Sequence, residues 1–155
     1  MQLYLLRHAD AVPHNENDAA RELTEKGHEQ SKRAGRFCKK NGIAPEIILS
    51  SPLRRAEQTA RFAATEMNAE VTIANFLASG MDPETGIAEL RSYAKNSSVM
   101  IVGHEPDFSR LAAQLLGLPS NERIHLRKSS LTLIDVKQLR AGGGTLEFSL
   151  PASLM

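Results

Sequence analysis

Arg7 and His8 stand where a short apolar run, Gln2-Leu3-Tyr4-Leu5-Leu6, passes into Ala9-Asp10-Ala11 with no turn residue between. Histidine can attack an electrophile or carry a proton near neutral pH, and a guanidinium forks onto phosphate oxygens. Two further stretches carry the same kinds of group. Ser51-Pro52-Leu53-Arg54-Arg55 follows the apolar run Glu46 to Ser50, and Gly103-His104-Glu105 follows Val99-Met100-Ile101-Val102. All three stretches join a strand pattern to a polar or helical one. In a parallel sheet such junctions share one end, so two histidines and at least two arginines meet in one crevice. A phosphoryl group carries about two negative charges near pH 7 and is oriented by forked donors. Arg7 and one of Arg54 or Arg55 fit that task, because neighbours on a helix point about 100° apart. Helix N-termini at Pro52 and after His104 would add oriented N–H groups. Two histidines suit a two-step transfer in which one attacks phosphorus and the other donates to its oxygens. The attacking ring must be neutral, with its tautomer fixed from the other nitrogen.

The elements that must position these groups are legible in the pattern. After the first strand comes a polar loop, Asp10 to Leu23, longer than most connections and therefore a candidate for function. Thr24 caps a helix to about Lys40, stopped by Asn41-Gly42, with Gly27, Ser31, Ala34 and Cys38 forming a small-residue face. A second helix enters at Ser51-Pro52, turns Ala56, Thr59, Ala60 and Ala63 inward and ends near Asn68. Val71-Thr72-Ile73 is a short strand, and Pro83 to about Lys95 a helix with Ile87, Leu90 and Ala94 inward. Val99 to Val102 is the most apolar strand and the expected centre of the sheet. Asp107 to Leu116 is a helix stopped by Gly117. Leu131–Val136 and Thr145–Leu150, linked through Gly142-Gly143-Gly144, read as an antiparallel hairpin. Strands alternating with helices predict an α/β fold: a three-layer α/β/α sandwich with a mostly parallel central sheet and the hairpin at one edge.

Composition narrows the class. A chain of 155 residues with 41% hydrophobic and 24% charged residues suits one globular domain, residues 1–155. A net charge of +1 gives no footprint for nucleic acid or an anionic membrane, so any basic site is local. Cys38 is the single cysteine, which leaves no internal disulfide. The apolar run ending at Arg7 is too short for a signal-peptide core, and a reducing, cytoplasmic location is expected. His14, His28 and His125 are expected on the surface, and Lys39-Lys40 and Arg127-Lys128 on solvated faces.

Leu6-Arg7-His8-Ala9-x-Ala11, Leu23-Thr24-x-x-Gly27, Ser50-Ser51-Pro52-Leu53-Arg54-Arg55-Ala56-x-Gln58-Thr59-Ala60 and Val102-Gly103-His104 occur in this order. Together they resemble the histidine phosphatase superfamily, with its phosphoglycerate mutase-like fold. The short length and Arg-His-Ala start are similar to its compact SixA-type branch of protein-phosphohistidine phosphatases. The resemblance implies that His8 is the nucleophile that becomes phosphorylated. It also implies that Arg7, Arg55 and His104 hold the phosphoryl group, and that Arg21 lies near them. It implies no metal and no cofactor; arginines beside His8 and His104 would repel a cation.

Two departures from the family pattern stand out, the first bearing on subfamily and the second on substrate. Ala9 replaces the glycine common in larger relatives, and Glu105-Pro106 follows His104 where acid phosphatases have an aspartate. Glu84 and Asp82 are further carboxylates with no pattern behind them. An alkoxide leaving group gains roughly 10²–10⁴-fold from a general acid. Neutral imidazole, with a conjugate-acid pKa of about 6.5, demands less. The leading expectation is therefore a metal-independent phosphatase, a monomer of one domain, acting on phosphohistidine of a protein such as a histidine-phosphotransfer domain and releasing inorganic phosphate. The alternatives are a phosphatase of small phosphomonoesters, such as a sugar phosphate or nucleotide, and a non-catalytic phosphoprotein-binding module.

Overall fold

The computed structural model describes residues 1–13 and 17–155; His14 lies outside them. Its strands are β1 (Gln2–Arg7), β2 (Ile47–Ser50), β3 (Val71–Ile73), β4 (Ser98–Gly103), β5 (Leu131–Val136) and β6 (Gly144–Leu150). They form one six-stranded sheet in the order β3-β2-β4-β1-β5-β6. The β3-β2, β2-β4 and β4-β1 pairs are parallel, while β1-β5 and β5-β6 are antiparallel. β4 sits between β2 and β1 with all its residues buried, as its unbroken apolar run predicts.

The period of two along each strand divides the core. Leu3, Leu5, Val99 and Ile101 pack with Ile87 and Leu90 of α3 (Pro83–Leu90) and Phe108, Leu111 and Leu115 of α4 (Asp107–Leu116). Tyr4, Leu6, Met100 and Val102 face the other way, onto Ala34 and Cys38 of α1 (Glu25–Lys40) and Ala56, Ala60 and Ala63 of α2 (Arg54–Met67). Helices thus cover both faces, which is the expected three-layer sandwich. The small face of α1 extends to Gly35, where an added Cβ would lie 2.4 Å from Ala63 O; this is how closely α1 and α2 pack. No described helix is long and apolar enough to cross a membrane.

Several boundaries differ from expectation. α2 begins at Arg54, with Leu53 in extended conformation before it, so Ser51 and Pro52 belong to the approach and not to the helix. α3 ends at Leu90 and tightens into a 3-10 turn, Arg91–Tyr93. Ala94 consequently falls off the inward row and is exposed, because a tighter helix no longer repeats every 3.6 residues. The polar loop after β1 is also more structured than its composition suggests: Ala11 bridges Leu23, and Asp18–Ala20 is a 3-10 turn.

Candidate active site

Strand register brings the three junctions level. Arg7 pairs with Gly103 across β1 and β4, and the His8 N–H donates to Gly103 O at 2.9 Å. Ser50 pairs with Val102, and the Ser51 N–H donates to Val102 O at 2.9 Å. His8 and His104 therefore emerge side by side, their ring centroids 5.3 Å apart and tilted by 52°. Arg55, one residue into α2, is brought against them and is only 5% exposed.

Each polar group here has one side anchored by the protein. The His8 Nδ1–H donates to Ala9 O at 2.8 Å, which fixes the proton there and leaves the lone pair on Nε2. Ser51 Oγ lies 2.7 Å from His104 Nε2 and accepts from the Leu53 N–H at 3.2 Å. With the Leu53 N–H donating to Oγ, the Ser51 hydroxyl proton is free to go to Nε2, the arrangement that places the His104 ring proton on Nδ1. Arg7 Nη1 donates to Leu126 O at 2.7 Å. Arg55 Nη1 and Nη2 donate to Asp18 O at 2.8 Å and Asp18 Oδ2 at 3.1 Å.

What these anchors leave over is informative. Arg7 Nε, Arg55 Nε and His104 Nδ1 are buried and, among the described residues, have no partner. Buried donors are nearly always satisfied, and leaving one unmade costs about 1–3 kcal/mol. Orphan donors on two guanidiniums and an imidazole, grouped around a histidine lone pair, are groups that the oxygens of an anion would satisfy. Burial pushes His8 down to about 4, with Arg55, Arg7 and Lys128 adding to the effect. Burial likewise pushes His104 down to about 3, helped by His8 and Arg55. Both rings are neutral at pH 7, the state a nucleophilic nitrogen requires.

The sequence-predicted residues fall into two groups. Arg7, His8, Arg55 and His104 meet at this point. Arg21 stands one residue further out: its Nε donates to Val12 O at 2.8 Å and its Nη1 to Asp18 Oδ1 at 2.9 Å. Of the neighbouring arginines, Arg54 is half-exposed and pairs with Glu22 at 3.3 Å, so Arg55 is the one turned inward. His125 is exposed, and His28 is half-buried beside Phe62.

Lys128 requires a correction. It is not on a merely solvated face: its Nζ donates to Asp10 Oδ1 at 2.7 Å, and its charge reaches His8. It belongs to a segment that composition left unread. Leu126 O holds Arg7, and Ser129, in left-handed conformation at φ 56°, donates its N–H to both Arg7 O and His8 O. Ser51, Asp18 and this segment were missed as site residues; Ser51 had a signal in lying within a motif, and Asp18 only in lying within the long polar loop after β1. Two other motif residues act on the backbone. Thr59 Oγ1 accepts from the Ala9 N–H and donates to Arg55 O, and Gln58 Oε1 accepts from the Leu23 N–H.

Of the unplaced carboxylates, Asp82 caps α3 by accepting from the Thr85 N–H, and Glu84 lines a cleft with Arg91 and Gln114 that contains none of the site residues. Glu105 accepts from the Ser109 N–H, lies within electrostatic reach of Arg7, and is raised above the usual carboxylate range by burial. Among the described residues no three His, Cys, Asp or Glu side chains are grouped to hold a metal ion.

The chain has relatives of the same build. An uncharacterized protein of Picosynechococcus sp. is 31% identical over 137 residues, 84% of this chain and 82% of that one. The structure of the protein histidine phosphatase SixA complexed with tungstate superposes with a TM-score of 0.88 at 25% identity, covering 99% of both chains. The alpha-ribazole phosphatase of Shigella flexneri shares the fold, with a TM-score of 0.82 at 21% identity over 98% of this chain and 97% of that one. The sequence profile of the histidine phosphatase superfamily (branch 1) matches residues 3–78, which carry Arg7, His8, Arg21 and Arg55. By sequence and by fold, this chain belongs to the histidine phosphatase superfamily, alongside its SixA-type members.

Proposed function

We propose that this phosphatase removes phosphate from phosphohistidine carried by a protein partner, through a covalent intermediate on His8. The observation that carries the reading is the set of buried, unpartnered donors beside a neutral histidine whose free lone pair is on Nε2. In the first step Nε2 attacks phosphorus. Arg7, Arg55 and His104 Nδ1–H donate to the phosphoryl oxygens, and the bond from phosphorus to the substrate nitrogen breaks. A substrate ring protonated on its second nitrogen leaves as neutral imidazole. In the second step water attacks the His8 phosphoramidate, releasing inorganic phosphate and restoring the neutral ring. No metal enters either step.

Two features support a macromolecular substrate. Between β3 and β4 the chain forms only a 3-10 turn, the short α3 and a second 3-10 turn, with Leu77, Ile87 and Leu90 packed into the core. No described helical insertion extends over the site, which leaves room above it for a projecting side chain. Among the described residues Asp82 and Glu84 stand away from the site and Glu105 is tied to the Ser109 N–H, an arrangement that favours P–N over P–O cleavage.

The test is turnover of a phosphohistidine protein, a sugar phosphate and an aryl phosphate, each with and without chelator. Chelator-resistant preference for the phosphohistidine protein, lost in His8→Ala together with any acid-quenched phosphoenzyme, is the expected result. Preference for the small esters would move the substrate to the second class. Substantial turnover by His8→Ala would remove the covalent mechanism.

A further inference from the structure

Asp18 stands at the centre of the arginine contacts. Its carbonyl oxygen and Oδ2 accept from Arg55 Nη1 and Nη2, while Oδ1 accepts from Arg21 Nη1 at 2.9 Å. Arg55 is thereby held by its outer edge at two points, at 2.8 and 3.1 Å, and its Nε is left buried with no partner among the described residues. Arg21 is held in turn by Val12 O through Nε. The Asp18 side chain is 39% exposed whereas that of Arg55 is 6% exposed, so the carboxylate stands on the solvent side of the guanidinium.

We propose that Asp18 is a positioning residue that aligns Arg55 and Arg21 for the transferring phosphoryl group. The inference rests on the phosphatase reading above and extends it to a residue that touches no reacting atom. Two alternatives make opposite demands on the same carboxylate. A negative charge beside an incoming dianion could act as a competitor, blocking the arginines until displaced. An acid at the rim could instead protonate the leaving group. The two-point grip on Arg55 favours alignment: it occupies the outer nitrogens and presents the inner one, which preorganises a charge-assisted donor.

Asp18→Asn and Asp18→Glu in the full chain separate these roles. The measurements are kcat/KM over aryl phosphates of graded leaving-group basicity, calorimetric binding of phosphate and tungstate, and thermal melting. Alignment predicts that Asp18→Asn lowers kcat/KM and oxyanion affinity together, on the order of 10-fold. The loss should be equal across leaving groups, with an unchanged melt and partial recovery in Asp18→Glu. Tighter oxyanion binding in Asp18→Asn would show a competitor and overturn the proposal. A loss that grows with leaving-group basicity would show a proton donor, and unchanged constants would show no role; either result overturns it. A wild-type chain that neither binds oxyanion nor turns over would instead sink the phosphatase reading itself, and this inference with it.

Discussion

At the scale of single residues, the site is governed by desolvation. His8 and His104 lie on strand ends that the sheet buries, and both are held neutral far below the ordinary imidazole value. An exposed histidine nucleophile would lose activity below about pH 6.5 as it protonates. Here the acid limb of kcat/KM for His8 should fall near its depressed value of about 4. A profile of the free enzyme between pH 3 and 8 checks this, and a limb at 6.5 would contradict the buried, neutral assignment. Stability carries the same sign. Between about 6.5 and about 4 the unfolded chain binds the His8 proton and the folded chain does not. Folding stability is therefore fully present above 6.5 and declines as pH falls through that window. His8→Gln should flatten part of the decline in a series of chemical denaturation curves.

At the scale of elements, the site depends on how tightly α1 meets the turn after β1. Thr24 caps α1 by accepting from the Gly27 N–H at 3.1 Å, and its own hydroxyl donates to Asp10 Oδ2 at 2.8 Å. A Cβ on Gly27 would lie 2.0 Å from Asp10 O, a backbone atom that cannot swing aside. Gly27→Ala should therefore cost at least about 1–3 kcal/mol, the usual range for overpacking, although alanine is the better helix former. Equilibrium denaturation measures this; a neutral or stabilised variant would mean that the α1 start is free to shift. The Leu23-Thr24-x-x-Gly27 motif is thus explained by contact with Asp10, whose other carboxylate oxygen holds Lys128.

At the scale of the whole molecule, an anion receptor built from buried orphan donors should stabilise the fold when filled. Phosphate at a hundredfold excess over its Kd adds roughly 2.7 kcal/mol of stability by linkage. For a chain of this size that is a rise of roughly 5–11 °C in melting temperature. Arg55→Ala should remove most of the rise. A melt unmoved by saturating phosphate would mean that the donors do not form a receptor.

What the sequence determined by itself was the layering, the order of the elements and the four groups at the strand ends. Those properties are local or periodic. An unbroken apolar run marks β4, small residues at helical spacing mark the inner face of α1, and a junction motif announces His8, Arg55 and His104. By residue type Arg54 and Arg55 are equal candidates and only the motif favours Arg55; tertiary structure supplies the reason, turning Arg55 to Asp18 and Arg54 to Glu22. It also decided the partners of the site: Asp18 on Arg55, Ser51 on His104, and Leu126 through Ser129 against Arg7 and His8. These contacts join residues far apart in the chain through backbone carbonyls and single side chains, neither of which leaves a periodic trace in sequence. Burial finally set the protonation of the two histidines, since desolvation depends on what surrounds a ring and not on the ring itself.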